Sequence, residues 1–307
     1  MIRVKVIAGI VPATTLNEDG QQMSNQEQIE YWNGEAGERW AEDDHIMEQL
    51  LRPVTEDLLA HIQTDNLKSA LDIGCGGGSQ SLLLAQQLGA DARVLGLDLS
   101  APMLEGARGK LSGDGAGRAR VEFRQGDAAV EPFEEGAFDL LFSRFGVMFF
   151  DDPVGAFTNM RRALSPGAQL GFCCWRPLKD NDWTWIPLQA ALAHMPPPEP
   201  PEPGAPGPFA FADPARVESI LAASGFGDIE LKQHPITLRF GHYPTLGENV
   251  REMARIGPIS RLLADQDGDT MERVFSAMEE ALGPYFKDGA LQLPGSVWFV
   301  TATAHTA

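Results

Sequence analysis

Apolar and polar positions change rhythm twice along this chain. Between residues 46 and 63, apolar side chains recur at Ile46, Leu50, Leu51, Val54, Leu58 and Ile62, the spacing of one helix face. Pro53 lies within that stretch and is expected to kink or divide the helix. Residues 26–44 also read as helix, with Ile29, Trp32 and Trp40 among charged neighbours. From residue 69 the pattern becomes short apolar runs alternating with helical stretches. The runs are SALDI (69–73), RVLGLDL (93–99), RVEFRQ (120–125), FDLLFS (138–143) and AQLGFCCW (168–175). Helices are expected from Ser79 to Leu88, from Ser100 to about Leu111, and over 151–164, where the SPG at 165–167 breaks the last of them. Strands alternating with helices define an α/β fold with a doubly wound parallel sheet.

The last third departs from this rhythm. Residues 196–208 hold eight prolines in thirteen positions and read as an extended, stiff loop. Asp213-Pro214 opens a helix that Gly225 ends. A strand is expected at 229–240, helices at 246–263 and 269–282, and a final β-branched strand at 296–304. The expected organisation is a disordered tail at 1–22, N-terminal cap helices at 23–66, a nucleotide-type core at 67–175, a proline-rich lid loop at 176–212, and the end of the sheet at 213–307 with a helical insertion at about 244–290. A start at Met23 would suit the point where the helical pattern opens.

Composition narrows the partners. The formal net charge of −19 over 307 residues repels a phosphate backbone and an anionic membrane surface. Nucleic-acid and membrane partners are therefore not expected, and no apolar run is long enough to cross a bilayer. The three cysteines, Cys75, Cys173 and Cys174, fit reduced thiols in a cytoplasmic protein. None shares a metal-ligand spacing with a histidine, so no metal is expected.

The chemistry begins at residues 71–79, LDIGCGGGS. A strand ending in glycines and opening a helix lets the chain turn tightly and a ligand approach the backbone. A dinucleotide site needs G-x-G-x-x-G with pyrophosphate at the helix N-terminus. Here the spacing from Gly74 through Gly76 to Gly78 is G-x-G-x-G, position 79 is serine, and Asp72 stands two residues before the turn. A carboxylate beside a pyrophosphate repels it; beside a ligand with a positive centre it does not. Asp72 can equally bond the groups of the glycine turn itself.

Residues 71–79 resemble motif I of the class I S-adenosylmethionine (SAM)-dependent methyltransferases, and the resemblance runs through about residues 65–175. In LGLDLS, Asp98 falls where that family binds the ribose hydroxyls. In RQGDAAVEPF, Asp127 falls where its acid meets the adenine amino group, with the Ala128 N–H toward the ring. FDLLFSRFGVMFF and RRALSPGAQLGF match the strand leading to the transfer site and the following helix-turn-strand. YWNGEAGERW resembles the tyrosine-containing N-terminal helix of the small-molecule enzymes related to ubiquinone and menaquinone biosynthesis.

The resemblance implies a Rossmann-like seven-stranded sheet with an antiparallel last strand. It also implies SAM as cofactor, S-adenosylhomocysteine (SAH) as product, and a small, partly apolar methyl acceptor reached by in-line displacement. On it, the cofactor site comprises Asp72, Gly74, Gly76, Gly78, Asp98, Leu99, Met103, Asp127, Ala128, Ser143, Arg144 and Tyr31. The acceptor pocket comprises Phe145, Met148, Trp175, Trp183 and Trp185. Phe149 and Phe150 read better as core. His194 and Tyr31 are the candidates for a proton-handling role. Arg251 and Arg255, one turn apart, can grip an anion or pair with Glu248 and Glu252. The other readings are a SAM-binding sensor that transfers nothing, and an NAD-dependent oxidoreductase, against which Ser79 and Asp72 argue.

Overall fold

A computed structural model of the chain describes residues 26–111, 118–198, 202, 204–241, 243–256, 258–263 and 266–305. The expected tail at 1–22, His242 and part of the proline run lie outside these residues. The described chain divides into two compact units. The larger takes residues up to Trp175, then 206–234 and 297–305; the smaller takes Arg176–Ala205 and Pro235–Ser296.

The larger unit opens with α1 (Gln26–Asn33), α2 (Glu35–Glu42) and α3 (Asp44–His61). One helix is expected at 26–44; two form, divided at Gly34, whose extended backbone (φ −97°, ψ −158°) leaves the helical region. α3 runs undivided through Pro53, so the expected division there does not occur. Its buried face, with Leu50, Leu51, Val54 and Leu58, holds it on the core.

The alternating section follows as β1 (Ser69–Ile73), α4 (Ser79–Leu88), β2 (Arg93–Asp98), α5 (Ala101–Gly109), β3 (Arg120–Gln125), β4 (Phe138–Arg144), α6 (Pro153–Arg162) and β5 (Leu164–Trp175). After α7 (Asp182–Leu192) come α8 (Pro214–Ala223) and β6 (Phe226–Phe240). The chain ends with α9 (Leu246–Met253), α10 (Pro258–Leu263), α11 (Gly268–Leu282), the two-residue β7 (Phe286–Lys287) and β8 (Ala290–Ala304). The strands run in the order β3-β2-β1-β4-β5-β8-β6, and β7 pairs with β8 off this path. β1 to β5 pair with one another in parallel. β8 is antiparallel to β5, with Trp175 opposite Val297 and Gln169 opposite Thr303. This is the Rossmann-like sheet with an antiparallel last strand.

All five residues of β1 are buried, as helices on both faces of a parallel sheet require. Phe142, Phe157, Phe172 and Phe211 are among the largest fully buried side chains. Each stabilises the fold by about 1.5–3 kcal/mol relative to exposure. Caps set the helix starts: Ser100 Oγ accepts from the Met103 N–H, Asp152 from Gly155 and Asp213 from Ala215.

In the smaller unit, α11 packs on α7 and α9. α7 stands where a lid loop is expected. Asn181 explains it: its side-chain amide donates to the carbonyls of Arg176 and Pro177, and its Oδ1 accepts from the Ser296 N–H at 2.9 Å. That anchor sits next to the first residue of α7 and depends on a strand far along the chain. Arg251 pairs with Glu272 of α11 at 3.1 and 3.2 Å and lies over the Phe275 ring, so its partner is not the nearby Glu248. Glu248 completes a capping box with Thr245 instead.

Candidate functional site

Parallel strands of this order leave a crevice outside their carboxyl ends. At the end of β1, Gly74, Gly76 and Gly78 all have positive φ, at +66°, +54° and +80°. Side chains rarely adopt that backbone, which is why the stretch is glycine. Space requires it as well: a Cβ on Gly78 would meet the Phe123 ring at 2.5 Å, and one on Gly74 would meet the Gly146 Cα at 2.6 Å. Met103 Cε lies 3.2 Å from where a Gly76 Cβ would stand, so that side chain floors the turn.

Asp98 closes β2 beside this turn. Its Oδ2 accepts from the Gly76 N–H at 2.8 Å and its Oδ1 from the Ser100 N–H at 2.8 Å. Burial raises its pKa, against the opposing pull of the N–H groups of Ser100, Gly76 and Leu99. A carboxylate has about four lone-pair directions, so acceptor capacity remains beyond these N–H groups. Asp127, after β3, accepts from the Ala129 N–H at 2.9 Å. Gly126 reaches back to the Asp98 carbonyl at 3.0 Å, which sets the two acids on neighbouring turns.

Three other expected site residues turn to the protein itself. Asp72 is wholly buried and accepts from Gln80 Nε2 at 2.6 Å and from Ser81 Oγ. Its partners are thus side chains at the start of α4 rather than the backbone groups of the glycine turn. Desolvation pushes its pKa up to about 7, against the hydrogen bonds from Ser81 and Gln80. Ser143 is also buried: its hydroxyl donates to the Ile73 carbonyl at 2.7 Å and accepts from the Gly146 N–H at 3.2 Å. Arg144 points to α3, donating to Thr55 Oγ1 at 3.0 Å with Glu48 at 3.8 Å. Burial lowers its pKa, opposed mainly by Glu48.

Phe145 has φ +62°, unusual for an aromatic residue, and its ring stacks on Trp175 with centroids 4.3 Å apart. Trp175 is thereby covered, 6% exposed, and Met148 is 1% exposed, while Phe145 is half-buried. Trp183, Trp185 and His194 belong to the smaller unit. Trp183 is buried there, Trp185 half-exposed at 36%, and His194 exposed just past the end of α7. Tyr31 is in the larger unit, edge-on to Trp32, which also meets Trp40 and Phe149.

Sequence reasoning misses two things at this rim. Gly146 meets Gly74 backbone to backbone; a glycine after each of two adjacent strands is the signal that could have found it. Asn33, at the end of α1, bonds the turn after β2 and carries no motif of its own. Among the described residues no group of three or more His, Cys, Asp or Glu is placed to hold a metal ion, and no helix is long and apolar enough to cross a membrane.

The sheet order, the glycine turn and the acids on successive strand ends resemble the core of class I SAM-dependent methyltransferases. Residues 71–172 match the family described as Methyltransferase domain. It is 38% identical over 132 residues to the demethylmenaquinone methyltransferase of Lactiplantibacillus plantarum, covering 41% of this chain and 55% of that protein. It is 27% identical over 199 residues to the nocamycin O-methyltransferase of Saccharothrix syringae, covering 62% and 70%. The matched stretch spans 55% and 40% of the first two curated relatives, about half their length. Among solved structures, phosphoethanolamine N-methyltransferase 2 of Haemonchus contortus with SAM shares the fold at TM-score 0.53, 19% identical, over 90% of this chain and 59% of that one. The YcgJ protein of Bacillus subtilis does so at TM-score 0.51, 14% identical, over 82% and 99%.

Proposed function

We propose that this protein transfers a methyl group from SAM to a small, partly apolar acceptor. The observation that carries the proposal is the meeting of Asp98 with the glycine turn: a carboxylate held by backbone N–H groups on both oxygens, with acceptor capacity beyond them, beside backbone bare of side chains. A diol fits that carboxylate, and a ligand pressed against Gly74 and Gly76 meets no Cβ. The residues present therefore suit a nucleoside with a cationic centre.

SAM, when bound, supplies a methyl group on a sulfonium sulfur already activated for displacement. The chain's own work is to bind, orient and exclude water. Asp98 would take the ribose hydroxyls, Asp127 the adenine amino group and the Ala128 N–H a ring nitrogen. Leu99 and Met103 would line the nucleoside. The Phe145 ring at the end of β4 supports an acceptor with an apolar face. For an acceptor that must lose a proton, Tyr31 is the proposed orienting group, because α1 reaches the same turn as Asp98. The activities named for the relatives, on a demethylmenaquinone and on nocamycin, support a small-molecule acceptor.

A thermal-shift series with SAM, SAH and NAD tests the cofactor, since a ligand that binds only the folded state raises the melting temperature. SAM and SAH should raise it and NAD should not; a rise with NAD alone would replace this reading with a dinucleotide one. Incubation with methyl-labelled SAM and fractionated cell extract then tests transfer. A labelled small molecule is expected, and label confined to SAM would leave a binding protein that transfers nothing.

A further inference from the structure

We infer that Asn33 is a positioning residue that couples α1 to the ribose-binding turn, so that α1 docks and the nucleoside binds cooperatively. The inference rests on the cofactor reading above and adds a residue and a behaviour to it.

All four hydrogen-bonding positions of the Asn33 carboxamide are in use. Its Nδ2 donates to the Ile29 carbonyl of its own helix at 2.8 Å and to the Leu99 carbonyl at 3.0 Å. Its Oδ1 accepts from the Ala101 N–H at 3.0 Å and from Gln125 Nε2 at 3.3 Å. Gln125 Nε2 donates also to the Leu99 carbonyl at 3.0 Å. Residues 99–101 are the turn that presents Asp98. Asp98 holds one side of that turn through the Ser100 N–H, and Asn33 holds the other through Leu99 and Ala101. Ala101 begins α5, so Asn33 supplies an acceptor for one of that helix's unpaired first N–H groups from a distant segment.

A second observation brings the same helices to the same turn. α2 packs on α5. A Cβ built on Gly37 would stand 3.1 Å from Ser100 Oγ and would collide with the Trp32 carbonyl at 1.9 Å. The α1–α2 pair is thus fitted closely against the turn and is not merely tethered near it.

A ligand that orders the turn through Asp98 fixes the partners of Asn33, and docked α1 in return fixes the carboxylate. By linkage, each then strengthens the other by the same factor. Coupling, unlike a purely structural role, can be read separately from stability. Hydrogen–deuterium exchange of the full chain should show SAH slowing the amides of α1 as well as those of the glycine turn. In Asn33→Ala the glycine turn should still be protected by SAH while protection of α1 is lost, and calorimetric SAH affinity should fall about tenfold, which is about 1.4 kcal/mol. Asn33→Asp keeps the acceptor for Ala101 and loses the donors to Ile29 and Leu99, so its effect should be intermediate. Should Asn33→Ala fail to fold, Asn33→Asp and Gln125→Ala read the same bonds. Equal SAH protection of α1 in wild type and variants would overturn the coupling. A wild-type protein that does not bind SAH at all would overturn the cofactor reading, and this inference with it.

Discussion

The Gly76 N–H donates to Oδ2 of Asp98 at 2.8 Å, so the glycine turn after β1 and the acid that ends β2 form one rigid unit. In the proposed cofactor site, this makes Asp98 the position at which binding and local structure are most directly tied.

Replacing Asp98 removes the acceptor for two backbone N–H groups and for the proposed ribose hydroxyls. Hydrogen bonds to a charged acceptor contribute about 1.5–3 kcal/mol each. Asp98→Ala should weaken SAH binding tenfold or more by calorimetry. Asp98→Asn should do little better, because its amide nitrogen would face either the Gly76 or the Ser100 N–H. Unchanged affinity in either folded variant removes Asp98 from the cofactor site.

Asp72 gives a pH signature. Its folded pKa of about 7 lies above its ordinary value of 3.8, so the folded state holds this proton more tightly than the unfolded chain. The contribution of this group to stability is therefore greatest in acid, falls as pH rises between about 4 and 7, and levels off above. Asp72→Asn retains an acceptor for Gln80 and cannot titrate. Its melting temperature should fall less than wild type's between pH 5 and 8, so the variant gains relative to wild type as pH rises. Parallel curves across that range would show that Asp72 does not titrate there.

How much of this was legible depended on distance along the chain. β1 and β3 begin and end where the sequence predicts, and α4 starts at Ser79, because apolar runs bounded by glycine or charge are local signals. Asp98 and the three positive-φ glycines were legible for the same reason. α7 was not: Pro187 lies within it, and the Asn181 anchor needs Ser296, 115 positions away. Asn33 and Gln125 carry no signal in their own neighbourhoods, since they meet only in the fold, 92 positions apart. The turning inward of Ser143 and Arg144 was likewise hidden, because polar type and strand-end position suit a ligand and a strut equally; for Asp72 the sequence left both readings open.

Gly146 should prove as constrained as the motif glycines. A Cβ there would stand 2.5 Å from the Ile73 carbonyl oxygen and 2.8 Å from the Gly74 Cα, and backbone cannot rotate away as a side chain can. Overpacking of this kind typically costs about 1–3 kcal/mol. Gly146→Ala should lower the urea midpoint accordingly and weaken SAH binding by displacing the glycine turn. A variant with wild-type midpoint and affinity would mean that the two loops separate freely.

Phe145 offers a test in which the smaller residue should win. Its backbone is left-handed, at φ +62°, while its ring stacks nearly parallel on Trp175 at 8°. Phe145→Ala and Phe145→Gly both abolish that stack, so the ring's contribution cancels when the two are compared. What remains is backbone. Outside the left-handed region glycine is the less stable choice, by roughly 0.5–1 kcal/mol in regular elements. In the left-handed region a residue with a Cβ carries a penalty of about 1–2 kcal/mol that glycine escapes. Phe145→Gly should therefore unfold at higher urea than Phe145→Ala, although both should unfold below wild type. Both should also take up acceptor more weakly at unchanged SAH affinity, since neither touches Asp98 or the glycine turn. If the alanine variant is the more stable of the two, the left-handed turn is not imposed by the fold, and the Phe145 ring is held by Trp175 alone.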